Sequence, residues 1–206
     1  MGSAACETVL RAIGAYNRRD LDALLAEMHP EIVLQPPLTA LAGNVYRGHD
    51  GVADWLGDLD ETFTRTRIEP REVEDLGTIV LAITTFSVEA GESRLPLDSE
   101  LGLLFGMRDD LIVSWAGHFD HEAARAEGRV RLVREAIDAY NRRDLDALAA
   151  LMSPDVDLRP PVTPLRGNAY RGHEGIRQWL ADVEDSFVQA RIVPIEFEHH
   201  RGSCWR

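Results

Sequence analysis

The chain has 206 residues, 45% of them hydrophobic, a length that fits one large or two small domains. Its 22 basic residues are all arginine, which reads as codon bias and excludes a Schiff-base lysine, a lysine-linked pyridoxal phosphate and a phosphate-loop lysine. Against them stand 35 acidic residues, and a net charge of −13 repels phosphate backbones, so nucleic acid is not an expected partner.

Cys6 and Cys204 stand near opposite ends with no C-x-x-C, which argues against a zinc site and against a disulfide scaffold. Met1 to Cys6 does not read as a secretory signal, and the longest apolar-rich stretch, Thr78 to Phe86, is far short of the ~20 residues a membrane helix needs. The expectation is a soluble cytoplasmic protein with no membrane partner.

In chain order, Val9, Ile13 and Tyr16 share one helical face. Asp20 caps a second helix with Leu21, Leu24, Leu25 and Met28 as its apolar stripe, ended by Pro30. Glu31 to Leu34 reads as a strand stopped by Pro36 and Pro37. Gly48-His49-Asp50 opens a third helix that buries Val52, Trp55, Leu56, Leu59 and Phe63. Strands follow over about Arg67–Asp75, Thr78–Glu89, Arg94–Met107 and Leu111–Asp120, joined at Gly77, Gly91 and Arg108-Asp109-Asp110 as hairpins. Helices first and an antiparallel meander after them predict an α+β fold, one sheet wrapped around three N-terminal helices.

An internal repeat then begins. A-Y-N-R-R-D-L-D-A-L occurs at Ala15–Leu24 and again at Ala139–Leu148, an offset of 124. Of the 62 pairs from Val9 to Pro70 at that offset, 35 are identical, which is a tandem duplication. Copy one runs to about Gly128. The last residue of copy two, Arg206, aligns with Ala82, and Gly202–Arg206 bears no likeness to Thr78–Ala82. The expected organisation is a complete domain over 1–128 and a truncated second copy over 129–206, lacking what copy one builds from Ile83 to Gly128. Such a copy exposes the apolar face of Val133, Ile137, Tyr140 and Trp179, so it is expected to pack on copy one or on a partner chain, or to be loosely folded.

The run Y-N-R-R-D-L-D-A-L, then M-x-P-[ED], Y-R-G-H-[DE]-G-[IV] and F-D-H-E-A-A-R-A-E-G, resembles the SnoaL-like polyketide cyclase family of the nuclear transport factor 2-like superfamily. The resemblance implies a cone: a strongly curved antiparallel sheet around a deep apolar pocket, often dimeric through the sheet's outer face. It implies cofactor-free chemistry on a small apolar molecule, by ionisable groups whose pKa the pocket raises. Cyclisation, isomerisation and hydration are the candidate reactions. The alternative is a non-catalytic module for ligand binding or dimerisation, since the superfamily holds both.

Ketosteroid isomerase chemistry is disfavoured by the same comparison. The residue that matches its general base is Pro36, its oxyanion tyrosine matches Ala12, and its second acid falls near Gly102.

Two catalytic sets remain on the late strands, Asp98 with Glu100 and His118 with Asp120. Alternation puts Asp98, Glu100, Gly102 and Leu104 on one face, and Leu101, Leu103 and Phe105 on the other. The isomerase comparison turns Trp115 and Phe119 inward, sets Asp98 and Glu100 near the mouth, and turns His118 and Asp120 outward unless a bulge near Gly117 intervenes. The expected ligand-binding residues are Tyr16, Leu34, Tyr46, Trp55, Leu59, Leu104, Trp115 and Phe119. His118, Asp120 and His121 lack a metal-ligand spacing, so no metal is expected. Arg47 and His49 read as turn-stabilising residues.

Overall fold

The computed structural model describes residues 3–37, 44–89, 97–160, 169–187 and 190–195; the hairpin expected at Gly91 and the His199-His200 tail lie outside them. The chain divides into two units, Met1–Gly128 and Arg129–Arg206.

The first unit opens with α1 (Ala4–Arg18) and α2 (Leu21–Ala26). Ser3 caps α1 by accepting from the Cys6 amide, and Asp20 caps α2 by accepting from that of Ala23. The α1 stripe is as expected: Val9, Ile13 and Tyr16 are all buried. Arg19 ends α1 in the left-handed region, at φ 57°. Such a φ is uncommon for a side chain of this length, and the side chain is held: its guanidinium stacks 4.9 Å over the Tyr16 ring and pairs with Asp60 at 2.9 Å.

Strand β1 (Met28–Gln35) begins earlier than the prolines suggest and includes Pro30. Proline gives no amide to a ladder, and the pairing of β1 is interrupted between Met28 and Val33. A short β2 (Tyr46–Arg47) leads into α3 (Gly48–Thr62), where Gly48 takes φ 68° and the buried face is Val52, Trp55, Leu56 and Leu59. Tyr46 donates to Asp58 at 2.6 Å, and the His49 Nε2–H donates to the Met28 carbonyl at 3.0 Å, so both side chains fix this turn.

Strands β3 (Arg65–Asp75), β4 (Ile79–Glu89), β5 (Leu97–Arg108) and β6 (Leu111–His118) form the expected meander. The β5–β6 turn puts Asp109 and Asp110 both at positive φ, the arrangement whose twist suits a two-residue hairpin. The sheet order is β2-β1-β6-β5-β4-β3. The sheet is mixed, not antiparallel throughout, because β1 runs parallel to β6, with Val33 opposite Ser114 and Leu34 opposite Trp115. A parallel pair needs a long crossover, and the segment between Gln35 and Leu111 supplies one. Breaks in register at Pro70/Glu72 and at Gly106/Met107 add to the bend that closes the sheet around α1 and α3.

One side chain ties helix to sheet. Asn17 donates from Nδ2 to the Ile68 carbonyl at 2.7 Å and accepts at Oδ1 from the Ile68 amide at 2.8 Å. It thereby stands where the next strand beyond the β3 edge would stand.

Helix α4 (His121–Arg142) starts in the first unit. Asp120 caps it, accepting from the Glu122 and Ala123 amides, so the last strand ends before Asp120 and not at it. The first turns of α4 lie on the outer face of the sheet. A Cβ on Gly102 would stand 2.3 Å from Ala124 Cβ, and Arg125 pairs with Glu72 and Glu74.

The second unit holds the rest of α4, then α5 (Leu145–Ala150), β7 (Asp157–Leu158), β8 (Tyr170–Arg171) and α6 (Gly172–Ser186). It repeats the local devices of the first. Asp144 caps α5, Arg143 sits at φ 60° over Tyr140, and Asn141 grips Ile192 with the same two bonds. Its core is Ala139, Tyr140, Leu148, Ile176, Leu180 and Val183. Among the described residues it has only the two-stranded β7–β8 sheet, and Val133, Val193 and Ile195 are exposed.

Candidate functional site

Cross-strand partners share a face, and the pairs Phe105–Trp115 and Leu103–Gly117 therefore settle which residues look into the cone of the first unit. Leu101, Leu103, Phe105 and Trp115 are buried against α1 and α3. They meet a ring cluster in which Tyr16 stacks on Trp55 at 5.4 Å and 20°, and Trp115 stands edge-on to Trp55 at 5.2 Å and 71°.

At this cluster lies a cavity of about 20 Å³. Tyr16, Trp55, Leu59 and Trp115 line one part of it, and Ile68, Phe86, Leu101 and Leu103, with Pro36 and Pro37, line the rest. The volume is that of a single water, yet a water needs polar partners that this lining does not present. The Tyr16 hydroxyl, the one phenol at the cavity, is engaged: it lies 2.6 Å from Thr66 Oγ1, which also accepts from Arg19 Nη2 at 2.6 Å. Burial pushes the Tyr16 phenol above its ordinary pKa, and the bonds to Thr66 and Arg19 pull it partly back. Trp55 Nε1 is sealed from solvent and has no hydrogen-bond partner.

Four of the eight expected ligand residues, Tyr16, Trp55, Leu59 and Trp115, line the cavity. The other four do not. Leu34 is fully buried in the core behind it, and Tyr46 is spent on Asp58. Leu104 lies on the opposite face of β5, beside α4: a Cβ on Gly128 would meet it at 3.2 Å. The sequence reading puts the even-numbered face of β5 inward, and the pairing with Trp115 reverses this. Phe119 follows the last residue of β6 and is 49% exposed, because the chain turns away there into α4. In place of Leu104 and Phe119 the cavity takes Leu101, Leu103, Ile68, Phe86 and the two prolines. Alternation names Leu101 and Leu103 as partners on one face, and only the β5–β6 register tells which face that is.

The same reversal places the four catalytic candidates. Asp98 and Glu100 are exposed on the outer side of β5, where Glu100 lies 3.8 Å from His121. Asp120 is exposed as the α4 cap. His118 faces outward, as the sequence comparison has it, and its Nε2 lies 3.1 Å from the Glu127 carboxylate. That pair borders an outer groove of about 380 Å³ together with Gln35, Asn44 and Ala116. None of the four is among the residues that line the cavity.

A curved sheet closed over helices, with an apolar cavity between them, defines a nuclear transport factor 2-like fold. A nuclear transport factor 2-like protein of unknown function from Burkholderia pseudomallei matches with a TM-score of 0.53 at 22% identity, covering 59% of this chain and 95% of that one. TerC, co-crystallised with polyporic acid, matches with a TM-score of 0.53 at 23% identity, over 59% of this chain and 95% of that one. A Xanthomonas campestris protein provisionally named a polyketide cyclase reaches 0.47 at 20% identity, over 58% and 93%. No curated protein matches. The SnoaL-like domain model matches residues 9–115 and again residues 133–202, and the chain belongs to that family. Among the described residues no helix is long and apolar enough to cross a membrane.

Proposed function

We propose that the first unit binds a small, largely apolar molecule between the sheet and the α1–α3 rings, where the closed cavity of about 20 Å³ widens to admit it. The observation that carries this reading is the lining. Carbon surfaces and a phenol already held by Thr66 meet there, and no carboxylate or imidazole is among the lining residues. An acid–base step in the cone would need such a group in reach of the reacting atom. The domain therefore acts as a binding module. The second unit is a second copy of the same domain, on the strength of the repeated caps, the repeated left-handed arginine and the repeated asparagine clamp.

A second reading, catalysis, is favoured by one observation, the His118–Glu127 pair beside the outer groove. A thermal-shift screen of polyketide-like and terpene-like compounds on the full chain tests both. Saturable stabilisation is the expected result, because a ligand of the folded state alone raises the melting temperature in proportion to ln(1 + [L]/Kd). Leu103→Trp, which fills the cavity, is expected to abolish it, and the recovered ligand is expected to be chemically unchanged. Turnover that His118→Gln abolishes would move the function to the outer groove, and stabilisation that Leu103→Trp leaves intact would refute the cavity as the site.

A further inference from the structure

We infer that residues 190–195 of the second unit pair with the same residues of a second copy of this chain, antiparallel about a two-fold axis at Val193.

In the first unit the counterpart segment is β3, whose inner edge is taken by β4: Arg67 pairs with Ser87 and Glu69 with Thr85. Asn17 and Asn141 hold the opposite side, through the amide and carbonyl of Ile68 and of Ile192. Neighbours along an extended chain turn those groups the other way, so Arg191 and Val193 present theirs on the side that β4 takes in the first unit. Among the described residues neither backbone has a partner, and Ile192 is 40% exposed where Ile68 is 3%. A row of unpaired amides and carbonyls is a template for another strand. Pro194 takes nothing from it, since its missing amide falls on the Asn141 side.

Proteins guard such edges with charge, and β3 carries exposed Glu69 and Arg71. At the offset of 124 these become Val193 and Ile195, which are 70% and 100% exposed. With Ile192, and with Val130 and Ile137 of α4, they line a groove of about 640 Å³. A contiguous apolar surface of this kind marks a contact.

Charge selects the occupant. Residues 1–128 hold 10 arginines against 23 acids and carry the whole net charge of −13, whereas residues 129–206 hold 12 of each. Two copies of this chain repel through their first units and meet without that cost through their second. Pairing about Val193 sets Val193 on Val193 and Arg191 on Ile195, with no like charges opposed. Arg191 and Asp138, exposed at the groove and without an ion pair among the described residues, supply one charge of each sign to a self-complementary contact.

Sedimentation velocity on the full chain, over a concentration series, tests this. The native protein is expected to be a monomer–dimer equilibrium. Val193→Glu gives the segment the residue that β3 bears at the same position, so the fold tolerates it, and circular dichroism checks this. It sets two carboxylates face to face and is expected to raise the dissociation constant at least about tenfold. Val193→Arg is expected to do the same, and an equal mixture of the two variants to dimerise again. Leu10→Glu, at an exposed apolar residue of the first unit, is expected to change nothing. A native monomer at every concentration overturns the inference, and protection of the Val193 amide from hydrogen exchange in that monomer would give the groove to another segment of the same chain. Assemblies larger than a dimer, a dimer that Val193→Glu leaves intact, or a mixture that stays monomeric overturn it as well.

Discussion

Replacing Asn17 by alanine tests whether a single side chain holds the free edge of the sheet. Asn17 makes two hydrogen bonds to the backbone of Ile68, at 2.7 and 2.8 Å, and Ile68 is 3% exposed. Each bond contributes about 1 kcal/mol net, and the amide and carbonyl left behind are shielded from water, which raises the loss to roughly 3 kcal/mol. Alanine suits a helix better than asparagine and returns about 0.5 kcal/mol. The expected cost is therefore about 2–3 kcal/mol. Asn141→Ala removes the same two bonds to Ile192, a residue 40% exposed, where water replaces the lost partner, and the expected cost is under about 1 kcal/mol. Hydrogen exchange measured by mass spectrometry separates the two, because it reports each segment apart from the other. Protection of the Ile68 amide is expected to fall at least 30-fold in Asn17→Ala, at 1.4 kcal/mol per decade. Asn17→Asp is expected to be no better than alanine, since its carboxylate faces the Ile68 carbonyl. Protection within threefold of the native value in Asn17→Ala would refute the clamp.

Other consequences follow from space and charge. Gly102→Ala sets a methyl 2.3 Å from Ala124 Cβ and 3.2 Å from the His121 backbone, so the start of α4 must shift. Calorimetric melts are expected to show a loss of about 1–3 kcal/mol, whereas Gly57→Ala, with nothing within 4 Å, is expected to gain up to about 1 kcal/mol. Equal effects would show that α4 does not press on the sheet. For Tyr16 the sign is fixed by burial. Tyrosines in the unfolded chain ionise near pH 10 while the Tyr16 phenol ionises higher, so above that pH the unfolded chain holds fewer protons and stability falls as pH rises. In Tyr16→Phe this part of the alkaline fall should vanish, along with one late-ionising tyrosine in a 295 nm titration. An identical alkaline limb in the two proteins would refute the assignment.

Much of the architecture is legible in the letters. The α1 and α3 stripes, the Asp20 cap and the four strands of the meander follow from period, capping chemistry and turn residues, all of which act within a few positions. What escapes is what depends on distant partners. Pro30 reads as a helix stop and sits in a strand, because β6 tolerates the missing amide by breaking register. Leu104 and Leu103 are equally apolar neighbours, and only the strand opposite says which one looks inward. That one-residue choice carries Asp98 and Glu100 to the outside with Leu104. The unpaired Trp55 nitrogen is invisible in sequence, since a tryptophan on an apolar stripe is ordinary wherever its N–H finds a partner.

The parallel seam between β1 and β6 bears on how the molecule comes to be folded. Val33 meets Ser114 across about 80 residues of chain, while β3 to β6 are neighbours in sequence and pair through short turns. Contacts so far apart form late, after the local hairpins have restricted the chain between them. A ribosome must therefore release nearly the whole first unit before the seam can zip, and until then Ile32 and Leu34 stand without their cover.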